Sequence, residues 1–145
     1  MNEQKYGRIL VVEDDPDAAV LAQYTLQQEG YDVVVANDGT TGLDIAFSDQ
    51  RVDLIVLDIM LPDIDGFEVC SQLKNHRKTK QTPVIMLTAK NTDEDMIRGM
   101  DIAYADAYLN KPTEPWLLCE VVYGLLNHRF RSQPQADAVP STSQS

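Results

Sequence analysis

Asp58 closes an apolar run within VDLIVLDIMLPDIDGF (52–67), and Glu13 and Asp14 follow another, RILVV (8–12). Further along, Thr88 follows PVIML (83–87), and Lys111 and Pro112 follow a short apolar segment at 107–109. Carboxylates brought together repel, and each raises the proton affinity of the others. A divalent cation or a lysine relieves that repulsion. Carboxylate and carbonyl oxygens suit Mg2+, which keeps several waters and takes one or two carboxylates. An ammonium is a point charge suited to one phosphoryl oxygen, and a threonine hydroxyl can donate a hydrogen bond to another. A carboxylate that attacks phosphorus and becomes an acyl phosphate fits this set. Phosphoryl transfer chiefly needs alignment and charge neutralisation.

The elements that must position these residues alternate along the chain. Strands are expected at 8–12, 32–36, 54–57, 83–87 and 107–109, and helices at 16–29, 40–47, 67–76, 92–103 and 116–129. Asp15 before Pro16 is an N-cap with proline at the first helical position, and Gly30 is a C′ residue. In the first helix Ala18, Leu21, Ala22, Thr25 and Leu26 keep a helical period. Phe67, Val69, Cys70 and Leu73 form the apolar side of the third, and Leu118, Val121, Val122 and Leu125 that of the last. Several strands are continuous apolar runs, as in a parallel sheet covered on both faces. Five units are too few for an eight-stranded barrel. The fold class is therefore α/β, a single-domain, doubly wound, five-stranded parallel sheet with five helices, whose site lies beyond the carboxyl ends of the strands.

Composition narrows the functions. With 145 residues the chain holds one core, and its net charge of −11 argues against direct nucleic-acid binding. Cys70 and Cys119 lack a metal-ligand spacing and read as reduced core or near-core thiols. The N-terminus carries no signal-like apolar run and no stretch reaches membrane-spanning length, so membrane insertion is not expected and a cytoplasmic location is. From Ser132 the residues are Pro, Ser, Gln and Ala with few bulky apolar groups. Residues 132–145 are accordingly expected to form a disordered tail or linker after a domain at 1–131.

The segments ILVVEDDPD, DLIVLDIMLPDIDGFEV, VIMLTAK and AYLNKP occur in the order and spacing found in the receiver domain of two-component response regulators, which the chain resembles over about residues 6–131. That resemblance implies a flavodoxin-like sheet of order 2-1-3-4-5. It implies Asp58 as phosphoacceptor, with Glu13, Asp14, Asp58 and the Met60 carbonyl around Mg2+. Thr88, Lys111 and the amides of Met60 and Ala89 would bind the phosphoryl group, and Tyr108 would be the switch residue paired with Thr88. The side chains at Met60 and Lys90 would tune how long the phosphoryl group survives. Expected partners are a sensor histidine kinase or histidine phosphotransfer protein, and a downstream protein target or output domain. A homodimer through the helix at 92–103, the fifth strand and the last helix is one mode that such domains use. The only catalysis implied is of the chain's own phosphorylation and dephosphorylation.

Departures from the family pattern are IAYADAY before the last strand, with Tyr104 and Ala107 replacing a glycine and an acid, and Thr113 where an aromatic commonly stands. Other residues have plainer readings. Asp63 is expected to be solvated, and Asp65 with Gly66 to start the next helix. His76 and His128 sit where they would face helix C-terminal dipoles, and Trp116, Tyr123 and Phe130 are expected to pack. Two rival functions remain. A phosphorylation-independent interaction module would not need the full residue set. A haloacid-dehalogenase-type phosphohydrolase is suggested by DIDGF (63–67), but Leu61 and Pro62 separate Asp63 from the strand end that this chemistry requires.

Overall fold

The computed structural model describes residues 7–89 and 105–131. Five strands, β1 (Arg8–Val12), β2 (Asp32–Ala36), β3 (Leu54–Asp58), β4 (Val84–Ala89) and β5 (Ala107–Lys111), form one parallel sheet of order β2-β1-β3-β4-β5. Helices α1 (Pro16–Gln28), α2 (Gly39–Phe47), α3 (Gly66–Lys74) and α4 (Pro115–Arg131) cover it. The helix expected at 92–103 and the tail from 132 lie outside the described residues. Among those residues no helix is long and apolar enough to cross a membrane.

The uninterrupted apolar runs have a direct cause. Successive strand residues point to opposite faces, and each face here carries its own core. Leu10, Val12, Ile55, Leu57, Val84 and Met86 pack with Leu43, Phe67, Val69, Cys70 and Leu73 of α2 and α3. Ile9, Val11, Leu54, Val56, Ile85 and Leu87 pack with Leu26 of α1 and Leu118, Val122 and Leu126 of α4. Cys70 lies in the first core and Cys119 is half-buried, both as reduced thiols.

Local chemistry sets the helix ends. Asp15 caps α1 by accepting from the Ala18 amide, with Pro16 in the first turn. Gly30, at φ 96°, closes the helix as its amide and that of Tyr31 donate to Gln27 and Leu26 carbonyls. The buried stripe of α1 is Ala19, half-buried Ala22 and Leu26, whereas Leu21 is 53% exposed. The expected stripe and the observed one share Ala22 and Leu26, so spacing alone could not choose between them.

In α4, Leu118, Val122 and Leu126 occupy the sheet-facing stripe, with Val121 and Leu125 only half-buried at its edges. Trp116 and Tyr123 fall outside it, 65% and 56% exposed, contrary to the expectation that they pack. The expected dipole role of His76 is also corrected. Its ring stacks on Phe47 at 4.0 Å, and its Nδ1 accepts from the Lys78 amide, 3.0 Å away. Lys78 Nζ instead satisfies the α2 end by donating to the carbonyls of Ala46 and Gln50.

Two glycines separate steric need from simple tolerance. A Cβ on Gly66 would lie 2.6 Å from the Asp58 carbonyl oxygen and 2.6 Å from Ile59 Cα, whereas one on Gly124 would meet nothing within 4 Å. Gly66→Ala is expected to cost about 3 kcal/mol through a backbone clash that no rotamer relieves. Gly124→Ala, inside α4, should gain roughly 0.5–1 kcal/mol in helix propensity. Chemical denaturation of both variants beside the parent chain checks the two signs.

Candidate functional site

The carboxyl ends of β1, β3 and β5 meet at one cleft. The β1 chain continues into Glu13, whose amide donates to the Ala36 carbonyl at 2.9 Å and so extends the ladder by one residue. Asp58 is the last residue of β3 and Lys111 the last of β5. Lys111 Nζ lies 3.2 Å from Glu13 Oε1 and 3.3 Å from Asp58 Oδ2, placing one ammonium between two buried carboxylates. Glu13 Oε2 also accepts from the Asp15 amide at 3.1 Å.

Burial is the main force raising the Glu13 proton affinity, with the nearby Asp58 charge adding to it. The Asp15 amide and Lys111 oppose that rise. For Lys111, burial alone would favour the neutral amine, but the charges of Asp58 and Glu13 outweigh it and hold the proton more firmly than usual. Asp14 is the exposed member of the group. Single carboxylate oxygens of Glu13, Asp14 and Asp58 all lie within 4.8 Å of one another. An all-oxygen donor set of this charge fits a hard divalent cation such as Mg2+. Asp14 also lines a cleft of about 360 Å3 with Met60, Pro62 and Phe67, so this member of the group faces solvent.

The loop after β3 is held at several points. The Met60 amide donates to Asp58 Oδ1 at 3.3 Å, aligning the carboxylate, while the Met60 side chain is 66% exposed. The Gly66 amide donates to the Ile59 carbonyl at 2.9 Å, and Asp65 caps α3 by accepting from the Phe67 amide at 2.8 Å. Asp63 is exposed, as the sequence leads one to expect, yet it is also tied to another part of the chain. Its oxygens accept from the Gly39 amide at 2.8 Å, the Thr40 amide at 2.9 Å and the Thr40 hydroxyl at 2.6 Å. These donors, the Thr40 hydroxyl foremost, hold its carboxyl well below the usual carboxylate range. The tie therefore survives acid that protonates ordinary carboxylates and is lost only as pH falls through that lowered value. Asp63 thus joins the loop beside Asp58 to the N-terminus of α2. Its partners are 23 and 24 residues away in the chain, so no local pattern announces the contact.

The remaining candidates sit at the far side of β3. Thr88 is buried in β4, and its hydroxyl donates to Asn110 Oδ1 at 3.0 Å. Ala89 ends β4 in register with Lys111. Tyr108 of β5 is half-buried against the core formed with α2 and α3, so its ring already packs inward. Lys90 lies outside the described residues. Asn37, which the sequence did not single out, donates its side-chain amide to the Glu13 carbonyl at 3.3 Å. In the altered IAYADAY segment, Asp106 accepts from the Val84 amide and from Lys74 Nζ, tying β5 to α3.

Comparison with known proteins accords with this geometry. Residues 9–123 match the response regulator receiver domain family. The alkaline phosphatase synthesis transcriptional regulatory protein PhoP of Bacillus subtilis is 44% identical over 74% of this chain and 43% of its own length. The DNA-binding dual master transcriptional regulator RpaA of Synechocystis is 43% identical over 89% of this chain and 52% of its own. This chain therefore spans about half the length of the curated relatives it matches. Among solved structures, the receiver domain of a sensor histidine kinase from Pseudomonas aeruginosa is 27% identical, covers 85% of this chain and 99% of its own, and superposes with a TM-score of 0.77. A magnesium ion is coordinated in the active site cleft of that structure. With its sheet order, its acids at the ends of β1 and β3 and its lysine at the end of β5, the chain belongs to the response regulator receiver domain family.

Proposed function

We propose that the chain is a phosphorylation-dependent switch that accepts a phosphoryl group on Asp58. The observation that carries this reading is the Lys111 ammonium lodged between Glu13 and Asp58, at 3.2 and 3.3 Å. An oxygen of Asp58 attacks the phosphorus of a phosphohistidine on a sensor kinase or phosphotransfer protein. The P–N bond breaks, its electron pair leaves with the imidazole nitrogen, which takes up a proton, and Asp58 becomes an acyl phosphate. Glu13, Asp14, Asp58 and the Met60 carbonyl would hold Mg2+, which supplies positive charge against the phosphoryl oxygens. Lys111 provides a second positive charge, the Met60 and Ala89 amides donate to the phosphoryl oxygens, and the Thr88 hydroxyl donates to another.

The readout follows from what Thr88 and Lys111 must leave behind when they turn to the phosphoryl group. Both reside on β4 and β5, so the change in charge is felt at Tyr108 and on the surface beside it. A downstream protein, or an output domain such as the regulators PhoP and RpaA have the length to carry, would read that surface.

Incubation with acetyl phosphate and Mg2+ should add one phosphoryl group per chain, as seen by intact-mass spectrometry. Asp58→Asn should take up none, and chelation of the metal should stop the reaction in the parent chain. Labelling that persists in Asp58→Asn would falsify the assignment of the acceptor. Lys111→Met should move two quantities in opposite directions. Phosphorylation should slow by about a hundredfold on loss of a charged donor, whereas Mg2+ should bind more tightly because the ammonium no longer competes for Glu13 and Asp58.

A further inference from the structure

The Thr88 hydroxyl has one proton to donate, and it is committed to Asn110 Oδ1 at 3.0 Å. Asn110 lies on β5, directly opposite Thr88 in the β4–β5 register. Asp58 lies on β3, the neighbour on the other side of β4. One hydrogen thus has two claimants on opposite flanks of the strand. Thr88 is 1% exposed, so its hydroxyl cannot turn to bulk water as a third option. Asn110 is exposed, and its carboxamide can be hydrated as soon as it is released. Its backbone is held by the β4 ladder and by the Thr113 hydroxyl, which donates to the Asn110 carbonyl at 3.0 Å. The acceptor is therefore kept in place beside Thr88.

We propose that Asn110 is a positioning residue that holds the Thr88 hydroxyl in the unphosphorylated chain and sets the threshold for the switch. This rests on the reading of Asp58 as phosphoacceptor. A phosphoryl group on Asp58 must draw the Thr88 proton away from Asn110. The energy of that bond is subtracted from what phosphorylation makes available to the surface around β5. Removing the competing acceptor leaves Thr88 free to turn toward Asp58, and a ligand that needs this state then binds with higher apparent affinity. A receiver with an apolar residue at this place would switch more readily than this one.

Beryllofluoride with saturating Mg2+ imitates the acyl phosphate, and its affinity for the full chain is measurable by titration calorimetry. Asn110→Val should raise that affinity about fivefold, the equivalent of one neutral hydrogen bond. The gain should persist in a Thr88→Ser background, which keeps a hydroxyl, and vanish in Thr88→Ala, which has none. A merely structural effect of the valine would appear in both backgrounds. Equal affinities of parent and Asn110→Val, or a gain that survives in Thr88→Ala, overturn the proposal while leaving the acceptor reading intact. A parent chain that binds no beryllofluoride overturns the acceptor reading and the proposal with it.

Discussion

One ammonium between two carboxylates organises this domain. Glu13 and Asp58 stand at the ends of neighbouring strands, in surroundings where uncompensated negative charge is costly. Lys111 comes from β5, two places along the sheet from β3, a span of about 10 Å at the spacing of parallel strands. A long, flexible side chain ending in a compact charge crosses that span, and a shorter cation would not. The sheet order, the strand lengths and the turn after β5 all have to be right for the contact to form. Its electrostatics run in both directions. The two carboxylates keep the lysine charged, and the lysine opposes the burial that raises the proton affinity of Glu13.

Burial and chemistry coincide because each strand is apolar up to its last residue. Leu54 to Leu57 are fully buried on alternating faces, and the next position is the carboxylate of Asp58. Two cores grip the strand from either side, so Asp58 has little freedom of position. Such preorganisation is what charge-stabilised chemistry demands of a site.

Most of this was legible in the sequence because it is local or periodic. Continuous apolar runs announced a parallel sheet, turn residues marked the ends of α1 and α3, and Glu13, Asp14, Asp58, Thr88 and Lys111 each stand within two residues of a strand's carboxyl end. The acids and the lysine do meet. What escaped was long-range or rotational. Asp63 looks like a loop acid because its partners, Gly39 and Thr40, belong to another turn. Leu21 keeps a helical period with Ala18 and Thr25, and Ala19 keeps one with Ala22 and Leu26, so only packing against the sheet decides between the two stripes. Trp116 and Tyr123 are apolar enough to suggest a core, yet they stand off the stripe made by Leu118, Val122 and Leu126. Asn110 drew no notice because its role is visible only once β4 and β5 are paired in register.

Met60 divides its duties between backbone and side chain. Its amide is committed to the Asp58 carboxylate, within a loop closed by the Ile59–Gly66 hydrogen bond and anchored to α2 through Asp63. Its thioether meanwhile stands in solvent and contributes almost nothing to either core. Substitutions there can alter what water or an approaching protein meets at the mouth of the cleft without a penalty in folding. The position is thus free to vary on its outer side while its backbone keeps the Asp58 carboxylate in place.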